Sequence, residues 1–189
     1  YPTMVMPIDA GRPISIRAID EALARDRVLL IVSQRDKEVE TPRPSDLFEV
    51  GTACNILKMR KNPDGSVQVL VQAFARVRVR EWLDLGDHLE ARGEVLADEP
   101  GEPLLVKALV REVKDKFQAL LKEGKYLAPE VAQFILNLED PSQLADYVAF
   151  HMDFRLEDKQ KVLETANVAE RLRAVLVLLE AELALIETQ

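Results

Sequence analysis

Between Ile56 and Val79 the chain reads ILKMRKNPDGSVQVLVQAFARVRV, which combines a strand-like run, a turn signal and a long alternation of apolar and polar positions. Val67, Val69, Val71, Ala73, Ala75, Val77 and Val79 fall on one face of an extended chain. Gln68, Gln72, Arg76, Arg78 and Arg80 fall on the other, which is the period of a half-buried β-strand. In Asn62-Pro63-Asp64-Gly65 the proline presets φ, Asp64 tolerates the next position, and Gly65 supplies the left-handed conformation of a bulged hairpin. Leu70 and Phe74 break the pattern, because they are apolar on the polar face. Two readings stand for them: cover by another element of the chain, or membership of an exposed surface that binds protein.

Elsewhere the first hundred residues predict strands and one helix. Ser15 to Arg25 places Ile16, Ile19, Ala22 and Leu23 on one stripe, a helix with Ser15 as its cap. Val28 to Val32 is a continuous apolar run, expected as a strand buried on both faces. Ser33 to Asp46 is a polar surface connection carrying Pro42 and Pro44, Leu47 to Met59 opens the sheet, and His88 to Ala97 adds a strand. Asp98-Glu99-Pro100-Gly101-Glu102-Pro103 stops strand formation, and the period beyond it is helical. The fold class is therefore α+β, with a β-rich lobe over residues 1–101 and an all-helical lobe over 102–189.

Within the helical lobe, Leu104 to Leu121 forms a helix stopped at Gly124, and Pro129, Asp140-Pro141 and Leu156 open three short ones. Asn167-Val168-Ala169-Glu170 has capping-box spacing and starts a long helix from about residue 167 to the end of the chain. Val168, Leu172, Val175, Leu179, Leu183 and Ile186 make its seam, while Leu176, Val177, Leu178 and Leu185 widen the apolar stripe. Either neighbouring helices cover all of that stripe, or its last turns pack on a further part of the protein.

Composition narrows the chemistry. The net charge of −8 is spread along the chain and disfavours nucleic acid, since non-specific affinity depends on Lys and Arg neutralising phosphates. A single cysteine, Cys54, excludes an intramolecular disulfide and fits a reducing cytoplasm. With only two histidines beside it, no structural zinc site is expected. No apolar run reaches the roughly 18 residues of a membrane span, so no membrane partner is expected. The chain begins without Met and its last helix ends without Gly or Pro, as expected for a piece of a longer protein.

Catalytic patterns are missing as well. Gly124-Lys125-Tyr126 lacks the upstream glycine and the Ser or Thr of a phosphate-binding loop. His88 and His151 fall in different lobes and neither sits in a nucleophile motif, so His151 is expected as a packed or partly exposed helix-end residue. Cys54 is expected as a small buried hydrophobe. Arg76, Arg78 and Arg80 are expected on a solvated face with acids such as Glu81 nearby. No catalytic, cofactor-binding or metal-ligating residue is assigned.

Read together, DLFEVGT (Asp46 to Thr52), KMRKNPDGSVQVLV (Lys58 to Val71), EDPSQLADYVAFHM (Glu139 to Met152) and LEDKQKVLETANVAERL (Leu156 to Leu172) resemble the amino-terminal, substrate-recognition domain of bacterial Lon, the ATP-dependent protease. The opening GRPISIRAIDEAL and LIVSQRD fit the same pattern, so the resemblance runs in order over nearly the whole chain. It implies a PUA-like β-rich pseudobarrel followed by a helical bundle. It also implies a non-catalytic role in engaging unfolded or damaged proteins and in arranging a cytoplasmic homo-oligomer, a hexamer. ATP and magnesium, and a Ser–Lys endopeptidase dyad, are expected for the parent protein only. A purely structural assembly or gating module, or a standalone regulatory domain of the same fold, are the alternatives.

Met59, Leu70 and Phe74 are the expected contacts with substrate protein. The sequence departs from the family at Gln72-Ala73, where Glu-Gly is usual, and in lacking a strand ahead of Tyr1-Pro2. The missing strand predicts an unpaired sheet edge and readier self-association.

Overall fold

The computed structural model describes residues 1–124 and 127–188. Lys125 and Tyr126, which follow Gly124 in the sequence compared with a phosphate-binding loop, lie outside them. The fold is α+β, and the chain divides into two compact units, Tyr1–Leu96 and Ala97–Gln189.

The first unit is a five-stranded antiparallel sheet with one α-helix. Its elements are β1 (Val5–Ala10), α1 (Pro13–Ala24), β2 (Val28–Ile31), β3 (Val50–Lys61), β4 (Val67–Asp84) and β5 (Leu89–Leu96). The long strand β4 organises it. One edge of β4 pairs with β3, and the other is shared in succession by β1 over Val67–Gln72 and β5 over Arg76–Asp84. The hairpin joining β3 to β4 turns at Gly65, whose φ is +90°, and Asp64 Oδ1 accepts from the Ser66 amide at 2.9 Å. Hydrogen bonds from Ser66 also hold the Asp64 carboxyl below its ordinary pKa.

Alternation along β4 buries Val67, Val69, Val71 and Ala73 against Ile19 and Ala22 of α1, with Cys54 and Ile56 from β3 completing the core. Met6, Ile8, Ile16, Leu23 and Met59 pack around it. Ala73 is 5% exposed and has no left-handed backbone, so alanine suits the position.

Four expectations for this unit need correction. Helix α1 begins at Pro13, not Ser15; Pro13 occupies the first turn and Arg12 precedes it without a side-chain cap. Strand β2 is not buried on both faces: it pairs only with β3, and all four of its residues are half-buried. A continuous apolar run does not reveal whether a strand is central or at an edge. Strand β1 is absent from the sequence expectations although Met4, Met6, Ile8 and Ala10 alternate with more exposed residues, because Pro7 interrupts the run. Finally, Arg76 is 2% exposed rather than on a solvated face. Register shifts beside Cys54, where Phe74 is the extra residue on β4, and the alternation loses phase after that bulge.

In the second unit α2 (Pro103–Lys122), α3 (Pro129–Leu136), α4 (Pro141–His151), α5 (Leu156–Glu164) and α6 (Val168–Glu187) form a bundle. Side chains cap three of them. The Glu102 carboxylate accepts from Leu104 and Leu105, Asp140 from Ser142 and Gln143, and Asn167 from Glu170. Each such cap contributes about 1 kcal/mol. Gly124, with φ +89°, ends α2. The core joins Val113, Phe117 and Leu120 of α2 to Leu144 and Val148 of α4 and Leu172, Val175 and Leu179 of α6. Neighbouring helices do not cover the whole of α6: Val177 is 59% and Leu185 58% exposed.

Candidate functional site

Register places a set of apolar side chains on the outer face of the sheet, opposite the core. Leu70 of β4 stands between Pro7 of β1 and Lys58 of β3, and the next row outward is Val5, Gln72 and Asn55. Phe74 follows two residues further along β4, and Leu57 is the extra residue of the bulge in β3 between Ile56 and Lys58. Val5 is 52%, Leu57 42% and Phe74 49% exposed, while Leu70 is half-buried among them. Directly opposed residues lie about 5 Å apart and diagonal ones about 7–8 Å, so Leu70 adjoins Pro7, and Val5 is the diagonal neighbour of both Leu70 and Phe74.

Of the three residues singled out in the sequence, Leu70 and Phe74 share this outer face. Met59 pairs with Val69 and packs on the core, so it lies on the opposite side of the sheet. Val5, Pro7 and Leu57 are not among the residues that the sequence pattern singles out. The first two belong to β1, whose alternation is the available signal, and a bulge such as that at Leu57 has no signature in a single sequence.

A second cluster surrounds His88 at the start of β5. Its Nδ1 lies 2.7 Å from Asp87 Oδ1 and its Nε2 3.2 Å from Glu90 Oε1. An imidazole satisfies two carboxylates only when both ring nitrogens carry protons. The hydrogen bond to Asp87, opposed by burial and aided by Glu90, accordingly raises the His88 pKa. Arg17 bonds Asp87 at 2.8 Å and also pairs with Glu21, and Arg25 bonds Glu90 at 2.9 Å, so the cluster ties α1 to β5. Among the described residues no Ser, Thr or Cys lines the cleft beside His88.

Three further groups lie within the packed interior of the two units or at its margin. Cys54 is 2% exposed, and burial pushes its thiol up to about 11. His151 is half-buried at the end of α4 between the rings of Tyr147 and Phe150, and desolvation lowers its pKa. Arg171 is fully buried and donates to Ser142 Oγ at 2.6 Å, the Thr165 carbonyl at 2.8 Å and Asp98 at 2.7 Å. Among the described residues no group of three or more His, Cys, Asp or Glu is placed to hold a metal ion. No helix there is long and apolar enough to cross a membrane.

Comparison with known proteins agrees with this arrangement. Residues 1–181 match the family model of the ATP-dependent protease La (LON) substrate-binding domain. The chain is 38% identical over all of its 189 residues to Lon protease of Escherichia coli K12, and 35% identical over 191 residues to Lon protease 2 of Bdellovibrio bacteriovorus. It spans about a quarter of the length of these relatives, 24% in both cases. Among solved structures, the N-terminal domain of Mycobacterium avium complex Lon protease superposes with a TM-score of 0.76 at 26% identity, covering 95% of this chain and 91% of that one. The Lon N-terminal domain protein from Xanthomonas campestris shares the fold, with a TM-score of 0.59 at 13% identity over 93% of this chain and 90% of that one. A sheet unit followed by a helical unit, matched over nearly its whole length by both sequence and structure, makes this chain a member of the Lon substrate-binding domain family.

Proposed function

We propose that the chain captures unfolded or damaged polypeptides on the outer face of its sheet, as the non-catalytic, substrate-engaging part of a cytoplasmic ATP-dependent protease. The observation that carries this reading is the set of apolar residues Val5, Pro7, Leu70 and Phe74 that strand register places on one face of the sheet, with exposed Leu57 at the neighbouring bulge. Leu70 and Phe74 make the principal contacts, whereas Met59, turned to the core, does not face the partner. An exposed apolar face of this kind suits partners that expose apolar segments of varied sequence. Each contact is weak, and several copies in a homo-oligomer, a hexamer, raise the effective affinity without new contacts. ATP with magnesium and a Ser–Lys peptidase dyad are assigned to the rest of the parent protein; the family's description as an ATP-dependent protease, and the quarter of the relatives' length that this chain spans, support a larger protease around this chain.

A titration of the isotopically labelled chain with a reduced and alkylated, permanently unfolded protein tests the reading by NMR. Resonances around Leu70 and Phe74 should shift. Replacing both with aspartate should weaken binding about tenfold or more, because two apolar side chains no longer leave water when the partner docks. Unchanged binding by a folded double variant refutes the reading.

Exposure of Val177 and Leu185 on α6 favours a second reading, in which the helical unit mainly fixes assembly or gates access. In that case deleting the last two turns of α6 abolishes assembly of the parent, and the isolated chain shows no binding to unfolded protein.

A further inference from the structure

The apolar face has a charged border of one predominant sign. Lys58 lies directly across from Leu70, and Arg60 directly across from Gln68, so both side chains project from the same outer face as Leu70. Both are exposed, and among the described residues neither forms an ion pair. The carboxylate facing them from β1 is Asp9, which is opposite Gln68 on the far side of β4. Two strand spacings, about 10 Å, separate it from Arg60, beyond the reach of a direct pair. On a chain with a net charge of −8, this flank is a local excess of positive charge.

We propose that this face selects apolar polypeptide segments that carry an acidic residue close by in sequence. The inference rests on the reading that the sheet face takes unfolded polypeptide, and it specifies which segments are preferred. The aliphatic stems of Lys58 and Arg60 extend the apolar surface beside Leu70, while their charged heads reach past it. An extended peptide crossing from β1 to β3 advances about 3.3 Å per residue, so about three residues span the interval from Pro7 to Lys58. An apolar side chain seated on Pro7 and Leu70 therefore places a carboxylate two or three residues further on against the Lys58 ammonium or Arg60 guanidinium. A lysine or arginine at that point meets like charge instead.

Competition by fluorescence anisotropy with labelled peptides sharing one apolar core, flanked by either aspartates or lysines, tests this on the full 189-residue chain. At low ionic strength the aspartate-flanked peptide should bind about three- to tenfold more tightly, the effect expected of two exposed charge contacts. At molar salt, where the screening length falls to about 3 Å, the difference should shrink. In a Lys58→Glu, Arg60→Glu variant with wild-type melting behaviour the order should invert, and in Lys58→Gln, Arg60→Gln it should vanish. Equal affinity of the two peptides for the native chain, or an order that the charge reversal leaves untouched, overturns the charge preference but leaves the sheet-face reading intact. Failure of both peptides to bind, or binding insensitive to Leu70→Asp and Phe74→Asp, overturns the sheet-face reading and this inference with it.

Discussion

Substituting Arg171 with methionine should destabilise the helical unit by about 3–5 kcal/mol, the cost of removing one member of a buried ionic network. Arg171 is 0% exposed and Asp146, 3.8 Å away, is 2% exposed, so the substitution takes a cation from a carboxylate that water does not reach. It also withdraws donors from the Ser142 hydroxyl and from the Thr165 carbonyl, whereas the Ala166 carbonyl keeps the Glu99 amide. Each buried acceptor left unsatisfied costs about 1–3 kcal/mol. Asp98 supplies the contrast: its side chain is 41% exposed, so Asp98→Asn should cost about 1 kcal/mol or less despite the 2.7 Å separation from Arg171. Urea unfolding followed by far-ultraviolet circular dichroism separates the two, because every α-helix except α1 lies in this unit. With a slope of about 2 kcal/mol per molar urea, a destabilisation of about 4 kcal/mol lowers the midpoint by about 2 M. A midpoint shift below about 0.5 M for Arg171→Met, or equal shifts for the two variants, refutes the reasoning.

Two further outcomes concern the sheet unit. Hydrogen bonds to Asp87 and Glu90 raise the His88 pKa above 6.5, so its stabilising contribution is complete below the unfolded-state value and is lost as pH rises through the folded one. Melting followed by Trp82 fluorescence should therefore occur at lower temperature at pH about 8 than at pH about 6, and His88→Gln should flatten that difference. A pH dependence unchanged in the variant assigns the effect elsewhere. The Cys54 thiol, pushed up to about 11 by burial, should resist iodoacetamide in the native chain and react freely in denaturant. Rapid native alkylation shows that the sheet core opens easily.

Local signals carried the element boundaries where a residue's own backbone chemistry decides them. Pro63 and Gly65 mark the hairpin turn, Asp140-Pro141 opens α4, and Asn167 opens α6, because turns and caps are built from side chains within a few residues of the backbone groups they satisfy. The same locality explains the miss at α1, where Pro13 and not a hydroxyl side chain starts the helix.

By itself the sequence determined the α+β class, the hairpin, the succession of helices and a match to one family over the whole chain, because periodicity and turn chemistry are properties of neighbouring residues. Only the tertiary structure decided which apolar residues are exposed. Val5 and Pro7 reach the side of Leu70 through strand pairing across more than sixty positions of chain, Leu57 is exposed at a bulge, and Met59 turns inward. Phe74 keeps the outward phase of Leu70 and Gln72, whereas beyond the bulge beside it the alternation breaks down and Arg76 is buried along with Ala75. Exposure depends on what packs above each position, and pairing between distant strands, not the alternation within one, sets that.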